Sequence, residues 1–214
     1  MSTFVARRSI EAAVAGYYSR ALALHGTTHR GVDWTSRDAQ ELRFAMLLDG
    51  IDWSEEPTLL DYGCGWGALA GHLDRLGVAC RYVGYDVAPR MIDAARGVCG
   101  ERADRRFASD PRELEPADHV VASGVFNVKL DVAPDAWTRY VEDTIATLGA
   151  MSLQRLAFNM MPPASSPELA RDDLHYADPG AVARHCRAAL GGTVALREGY
   201  GLWEFTVVVS REAP

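Results

Sequence analysis

The sequence predicts a doubly wound α/β fold: a seven-stranded sheet, mostly parallel, with a C-terminal antiparallel hairpin and a helical N-terminal lid. Three observations predict it. From about residue 58, short apolar segments alternate with amphipathic ones, the pattern of a parallel sheet covered by helices. The first of these apolar segments runs directly into a glycine-rich turn. The last two are separated only by Gly201 and Leu202. So short a link cannot carry a parallel crossover, and the two strands must pair antiparallel.

The elements follow in order. Ser9–Leu24 reads as a helix, His25–Thr35 as a loop, and Ser36–Asp49 as a second helix capped by Thr35 or Ser36. Residues 1–50 carry few large apolar side chains, a poor independent core. They are expected to form a lid on the domain of residues 51–214. Strands are expected at Thr58–Tyr62, Arg81–Asp86, Arg105–Ser109, His119–Ser123 and Arg155–Met161, then at Thr193–Tyr200 and Trp203–Ser210. Between them, apolar residues recur at helical spacing: Leu69, Leu73 and Leu76; Trp137, Val141, Thr144 and Leu148; Val182, Cys186, Ala189 and Leu190.

Composition narrows the function classes. The 214 residues are 48% hydrophobic and 24% charged, with a net charge of −7. An acidic balance argues against a partner gripped through phosphates, so nucleic acid is not expected. Cys64, Cys80, Cys99 and Cys186 show no paired spacing, which suggests neither a zinc site nor a disulfide framework. No apolar run approaches the roughly 20 residues of a membrane span. Met1 to Gly16 lacks the apolar core of a signal peptide. The expectation is a cytoplasmic chain with reduced thiols, no membrane partner and no metal.

The strongest motif is Leu59-Leu60-Asp61-Tyr62-Gly63-Cys64-Gly65-Trp66-Gly67. Its glycines allow a tight turn and close approach of a ligand to the backbone. Gly63-x-Gly65-x-x-Ala68 also satisfies the relaxed dinucleotide fingerprint. Asp61, two positions before Gly63, separates the readings. A carboxylate facing this turn is awkward for a pyrophosphate and suits a ligand with an ammonium group.

The nonapeptide resembles motif I of the class I methyltransferases that use S-adenosylmethionine, and the resemblance extends over roughly residues 40–214. It implies that cofactor, with Asp61, Gly63, Gly65 and Gly67 at the turn. Asp86 matches the family's acidic strand end, whose carboxylate accepts the ribose hydroxyls. Val87 and Met91 lie in the stretch that packs on adenine, and Asp110 matches the acceptor of its amino group. The bland readings are core packing for Met91 and a turn start for Asp110, which precedes Pro111. The terminal hairpin is also similar to the family's.

Ligands of such sheets bind beyond the carboxyl ends of the strands. There the chain runs Ser123-Gly124-Val125-Phe126-Asn127-Val128-Lys129. It lacks the Asp/Asn-Pro-Pro-Tyr/Phe of DNA-base methyltransferases and the clustered carboxylates of magnesium-dependent ones. Ser123 is expected near the sulfonium, Phe126 as a shield from water, and Asn127 as a substrate contact. Lys129 is the lone lysine among 22 basic residues, and a deprotonatable amine would explain it. His29 and His175, on loops that can overhang the cofactor, are the candidate general bases. Arg43 is a candidate partner for the cofactor's carboxylate. Trp34, in the lid segment, is a candidate substrate contact, and Tyr17, Tyr18, Tyr200 and Trp203 are candidates for an aromatic wall. The implied activity is methyl transfer to an oxygen or nitrogen of a small-molecule acceptor. An NAD(P)-dependent oxidoreductase, a non-catalytic S-adenosylmethionine-binding protein, and a protein or RNA methyltransferase remain as alternatives.

Overall fold

A computed structural model describes residues 3–211, with side chains from residue 6 onward. The expected segments 1–50 and 51–214 also include residues 1–2 and 212–214, which lie outside the described residues. Among the described residues, six α-helices and seven strands follow in the order α1 (Thr3–His25), α2 (Arg37–Leu48), β1 (Thr58–Tyr62), α3 (Ala68–Leu76), β2 (Arg81–Tyr85), α4 (Pro89–Cys99), β3 (Arg105–Ala108), β4 (Ala117–Ala122), α5 (Pro134–Met151), β5 (Ser152–Met160), α6 (Pro179–Leu190), β6 (Thr193–Arg197) and β7 (Phe205–Ser210). Ser36 starts α2, its hydroxyl accepting from the Ala39 amide at 3.0 Å. The loop expected before α2 contains a short 3-10 helix, His29–Val32, closed by Asp33 in the left-handed region.

The strands lie in the order β3-β2-β1-β4-β5-β7-β6. β1 to β5 pair in parallel. β7 inserts antiparallel between β5 and β6. The hairpin is therefore present, with a longer turn than the sequence pattern implies. Gly199 and Gly201, at φ of 71° and 88°, break both strands, so residues 198–204 form the link. Asp86, Ser109, Ser123 and Met161, expected as final strand residues, fall one position beyond β2, β3, β4 and β5.

Side-chain alternation along the strands builds two cores. Leu60, Val120, Leu156 and Val207 pack with Trp137, Ile145 and Leu148 of α5 and Cys186 of α6. Leu59, Val121, Ala157 and Val208 pack with residues of α2, α3 and α4 on the other face. Fully burying a side chain such as Trp137 or Phe158 stabilises by roughly 2–3 kcal/mol. Both N-terminal helices take part: Ile10 of α1 joins the first core, and Phe44, Leu47 and Leu48 of α2 join the second.

Candidate active site

β1 and β4 are neighbours, yet the helices that follow them pack on opposite faces, which opens a crevice above their carboxyl ends. A groove of about 860 Å³, counted out to its open mouth, occupies that place. Its floor is the turn Gly63–Gly65, its sides include Asp86, Val87, Met91 and Ser123–Val125, and Glu11, Val14, Tyr18, Val32 and Trp34 face it from the N-terminal segment. Gly63 and Gly65 have φ of 81° and 54°, and added Cβ atoms would meet Val125 at 2.5 Å and Val32 at 2.8 Å. No larger residue fits the floor.

The turn is bound to the end of β2. The Gly63 and Cys64 amides donate to the Tyr85 carbonyl at 2.7 and 2.9 Å. The Asp86 carboxylate accepts from the Gly65 amide at 2.9 Å and the Ala88 amide at 2.8 Å. Burial nevertheless pushes its carboxyl up to about 6. Asp61 is buried, and burial raises it to about 7 although the Tyr82 hydroxyl donates to it at 2.6 Å. Among the described residues, Glu11, Asp61 and Asp86 line the groove and no Lys, Arg or His does.

Beside the groove, two loops are stitched together. Val128 and Leu174 form an antiparallel bridge. The His175 amide donates to the Asn127 carbonyl at 2.8 Å, and the Lys129 amide to the Asp173 carbonyl at 2.9 Å. This register puts Asn127 opposite His175 and Lys129 opposite Asp173, on the face away from Val128. Burial, and then the Lys129 ammonium, lower the His175 pKa. Asn127 is buried and its Oδ1 has no hydrogen-bond partner. Ser123, in the groove wall, likewise has a buried hydroxyl without a partner.

Comparison with known proteins agrees with this architecture. The family described as "Methyltransferase domain" matches residues 60–148. Rv1506c of Mycobacterium tuberculosis, named as a methyltransferase, is 40% identical over 154 residues, covering 72% of this chain and 93% of that one. The chain belongs to the class I S-adenosylmethionine-dependent methyltransferases. Ribosomal protein L11 methyltransferase of Enterobacter sp. is 36% identical over 93 residues, and the match spans only 31% of that protein and 41% of this chain. Among solved structures, the DhpI complex with S-adenosylhomocysteine superposes with a TM-score of 0.61 at 16% identity, over 94% of this chain and 97% of that one.

Of the residues expected at the methyltransferase site, Tyr18, Trp34, Asp61, Gly63, Gly65, Asp86, Val87, Met91 and Ser123 line the groove. The others lie elsewhere. Arg43, expected to hold the cofactor's carboxylate, is buried and instead grips Glu204, donating from Nε at 2.8 and 2.9 Å and from Nη2 at 2.5 Å. Gly67 is turned away from the groove, where an added Cβ would meet Cys99 at 2.9 Å and Ala95 at 3.3 Å, so its role is packing α3 on α4. Asp110 is committed to Arg112, accepting from its amide at 2.9 Å and pairing with its guanidinium at 2.5 Å. Phe126 is fully buried, its ring 5.4 Å from that of Phe158, and shields nothing in the groove. The Tyr200 hydroxyl shares a hydrogen bond with Thr206 at 3.1 Å, outside the groove wall. His29 faces a separate cleft, with Thr28, Arg37 and Trp66.

Sequence reasoning passed over Glu204, Asn159, Tyr82 and Glu11. The signal for Asn159 was available: an amide inside the apolar run of β5 must find partners there. No helix among the described residues is long and apolar enough to cross a membrane.

Proposed function

We propose that this methyltransferase transfers the methyl group of S-adenosylmethionine to an oxygen or nitrogen of a small molecule, in the cytoplasm and without a metal ion. Charge carries the reading. Of the three carboxylates that line the groove, Glu11 pairs with Arg7 at 2.8 Å, while Asp61 and Asp86 have no basic partner among the described residues. A cofactor bearing a sulfonium and an ammonium group fits that imbalance. When bound, it supplies a methyl group already activated for in-line displacement.

The chain's own work is to bind, orient, exclude water and remove a proton. Each Asp86 oxygen accepts one amide and keeps a lone pair for a ribose hydroxyl. Val87 and Met91 offer an apolar wall for adenine, and the partnerless Ser123 hydroxyl is free to bond a ligand. Trp34 and Val32 act as the lid. His175, held neutral by burial and by Lys129, is the general base, and Asn127 orients the acceptor.

Calorimetric titration tests the cofactor. S-adenosylhomocysteine should bind in the micromolar range and NADH and NADPH should not. The opposite pattern would return the glycine turn to the oxidoreductase reading. For the acceptor, the enzyme is incubated with an extract and cofactor carrying a tritiated methyl group. Once unreacted cofactor has been separated off, label should appear in a new low-mass compound that is absent without enzyme; label found in protein or RNA instead would overturn the small-molecule reading. With the acceptor in hand, Lys129→Met should move the acid limb of the pH–rate profile upward, and an unmoved limb would remove His175 as base.

A further inference from the structure

Arg43 and Glu204 form an ion pair that is 7% and 5% exposed. The pair is not isolated. Asn159, fully buried on β5, donates from Nδ2 to Glu204 at 3.1 Å, and its Oδ1 accepts the Gly124 amide at 2.7 Å. On the other side, the Arg43 guanidinium stacks on the Trp34 ring, 3.9 Å from its centre. Trp34 in turn covers Gly124, where an added Cβ would meet the ring at 2.7 Å. The contacts thus form a closed circuit: Trp34, Arg43, Glu204, Asn159, Gly124 and back to Trp34. Two members, Trp34 and Gly124, line the groove, while the three that join them do not.

A buried ion pair is weak support for stability. Apolar residues of similar volume often serve as well or better, because two charges must be taken out of water. What the pair supplies here is direction. The planar guanidinium offers one face to the indole and a fork to the carboxylate, so the ring is held in one orientation. Asn159 passes the same constraint to the backbone at Gly124, whose φ of 73° leaves no room for a side chain.

We propose that Arg43, Glu204 and Asn159 are positioning residues for methyl transfer, fixing Trp34 against Gly124 and so setting the gap between the roof and wall of the cofactor groove. The inference rests on the groove holding the family's cofactor and is independent of the acceptor. It assigns Arg43 an indirect role in place of a direct contact with the cofactor's carboxylate.

The test uses two ligands that differ in that carboxylate: S-adenosylhomocysteine, and 5′-methylthioadenosine, which has no amino acid moiety. The native chain binding S-adenosylhomocysteine validates the groove itself. Its failure to bind would defeat the cofactor reading rather than this one. Arg43→Met/Glu204→Met removes both charges together, so no charge is stranded. It should melt within a few degrees of the native protein yet bind both ligands about tenfold more weakly. Native affinity in that variant would make the circuit merely structural. Loss confined to S-adenosylhomocysteine would show Arg43 holding the carboxylate directly. Either result overturns the proposal.

Trp34 is only partly buried, so Trp34→Ala provides a second route should the double variant fail to fold. In that background Arg43→Gln/Glu204→Gln, which strands no charge and keeps an acceptor for Asn159, should cost no further affinity, since the ring the pair orients is gone. If the two losses simply add, the residues act separately and the circuit is refuted.

Discussion

Asp61 is a buried carboxylic acid and Asp86 a partly buried one, neither with a basic partner among the described residues, a predicament that the proposed cationic cofactor would relieve. Burial raises them to about 7 and about 6, above the ordinary value of 3.8. The folded chain therefore binds these protons more tightly than the unfolded chain. The stability they contribute is complete below about pH 4 and is lost as pH rises through about 6 and then about 7. Without cofactor, the native protein should lose more stability between about pH 5 and about pH 8 than Asp61→Asn does, measured by urea unfolding. A variant with the same slope would show Asp61 ionised at low pH. Cofactor affinity should run the opposite way. S-adenosylmethionine should tighten through this window more steeply than S-adenosylhomocysteine, which lacks the sulfonium charge. Both carboxylates were legible in the sequence, because their positions are set by spacing from the glycine turn. Arg43 was not: its partner is Glu204, 161 residues away, and no local pattern shows that a charge in an apolar stretch is already satisfied.

At the scale of elements, the strand–turn–helix unit β1–α3 was legible because glycine, β-branched and apolar residues each act locally. The ends of elements were less so. Thr193–Tyr200 has the residues of a longer strand, yet Gly199 and its turn end β6 at Arg197. Within the glycine turn itself, identical residues perform different tasks. Gly63 faces the groove, and its missing side chain leaves space for Val125. Gly67 starts α3 at φ 83° and lets Cys99, Ala95 and Phe107 close in. Gly67→Ala should therefore cost roughly 2 kcal/mol, from the left-handed backbone and the crowded α3–α4 contact together. Urea unfolding should show a lower midpoint, while S-adenosylhomocysteine affinity at low temperature stays near native. Gly63→Ala should lose affinity as well as stability. Equal loss of binding in the two variants would place Gly67 in the cofactor wall after all.

Across the whole molecule, the groove is a product of strand order. β1 and β4 are adjacent, their helices diverge, and α1 and the segment around Trp34 close the space from above. The crevice was legible from the alternation of strands and helices; which loop side chains turn into it was not, since that depends on contacts such as the Val128–Leu174 bridge. The walls come from residues as far apart in sequence as Glu11 and Tyr140, so the unfolded chain has no groove to offer a ligand. Binding must then stabilise the entire fold by mass action. At a hundredfold excess over its dissociation constant, S-adenosylhomocysteine should add about 2.7 kcal/mol. For a chain of this length that corresponds to about 5–10 °C in melting temperature. The shift should grow with the logarithm of ligand concentration above the dissociation constant, and NADH at equal concentration should leave the melt unchanged. A saturating shift of a degree or less, despite calorimetric binding, would mean that the ligand meets a locally formed surface instead of a groove assembled by the fold.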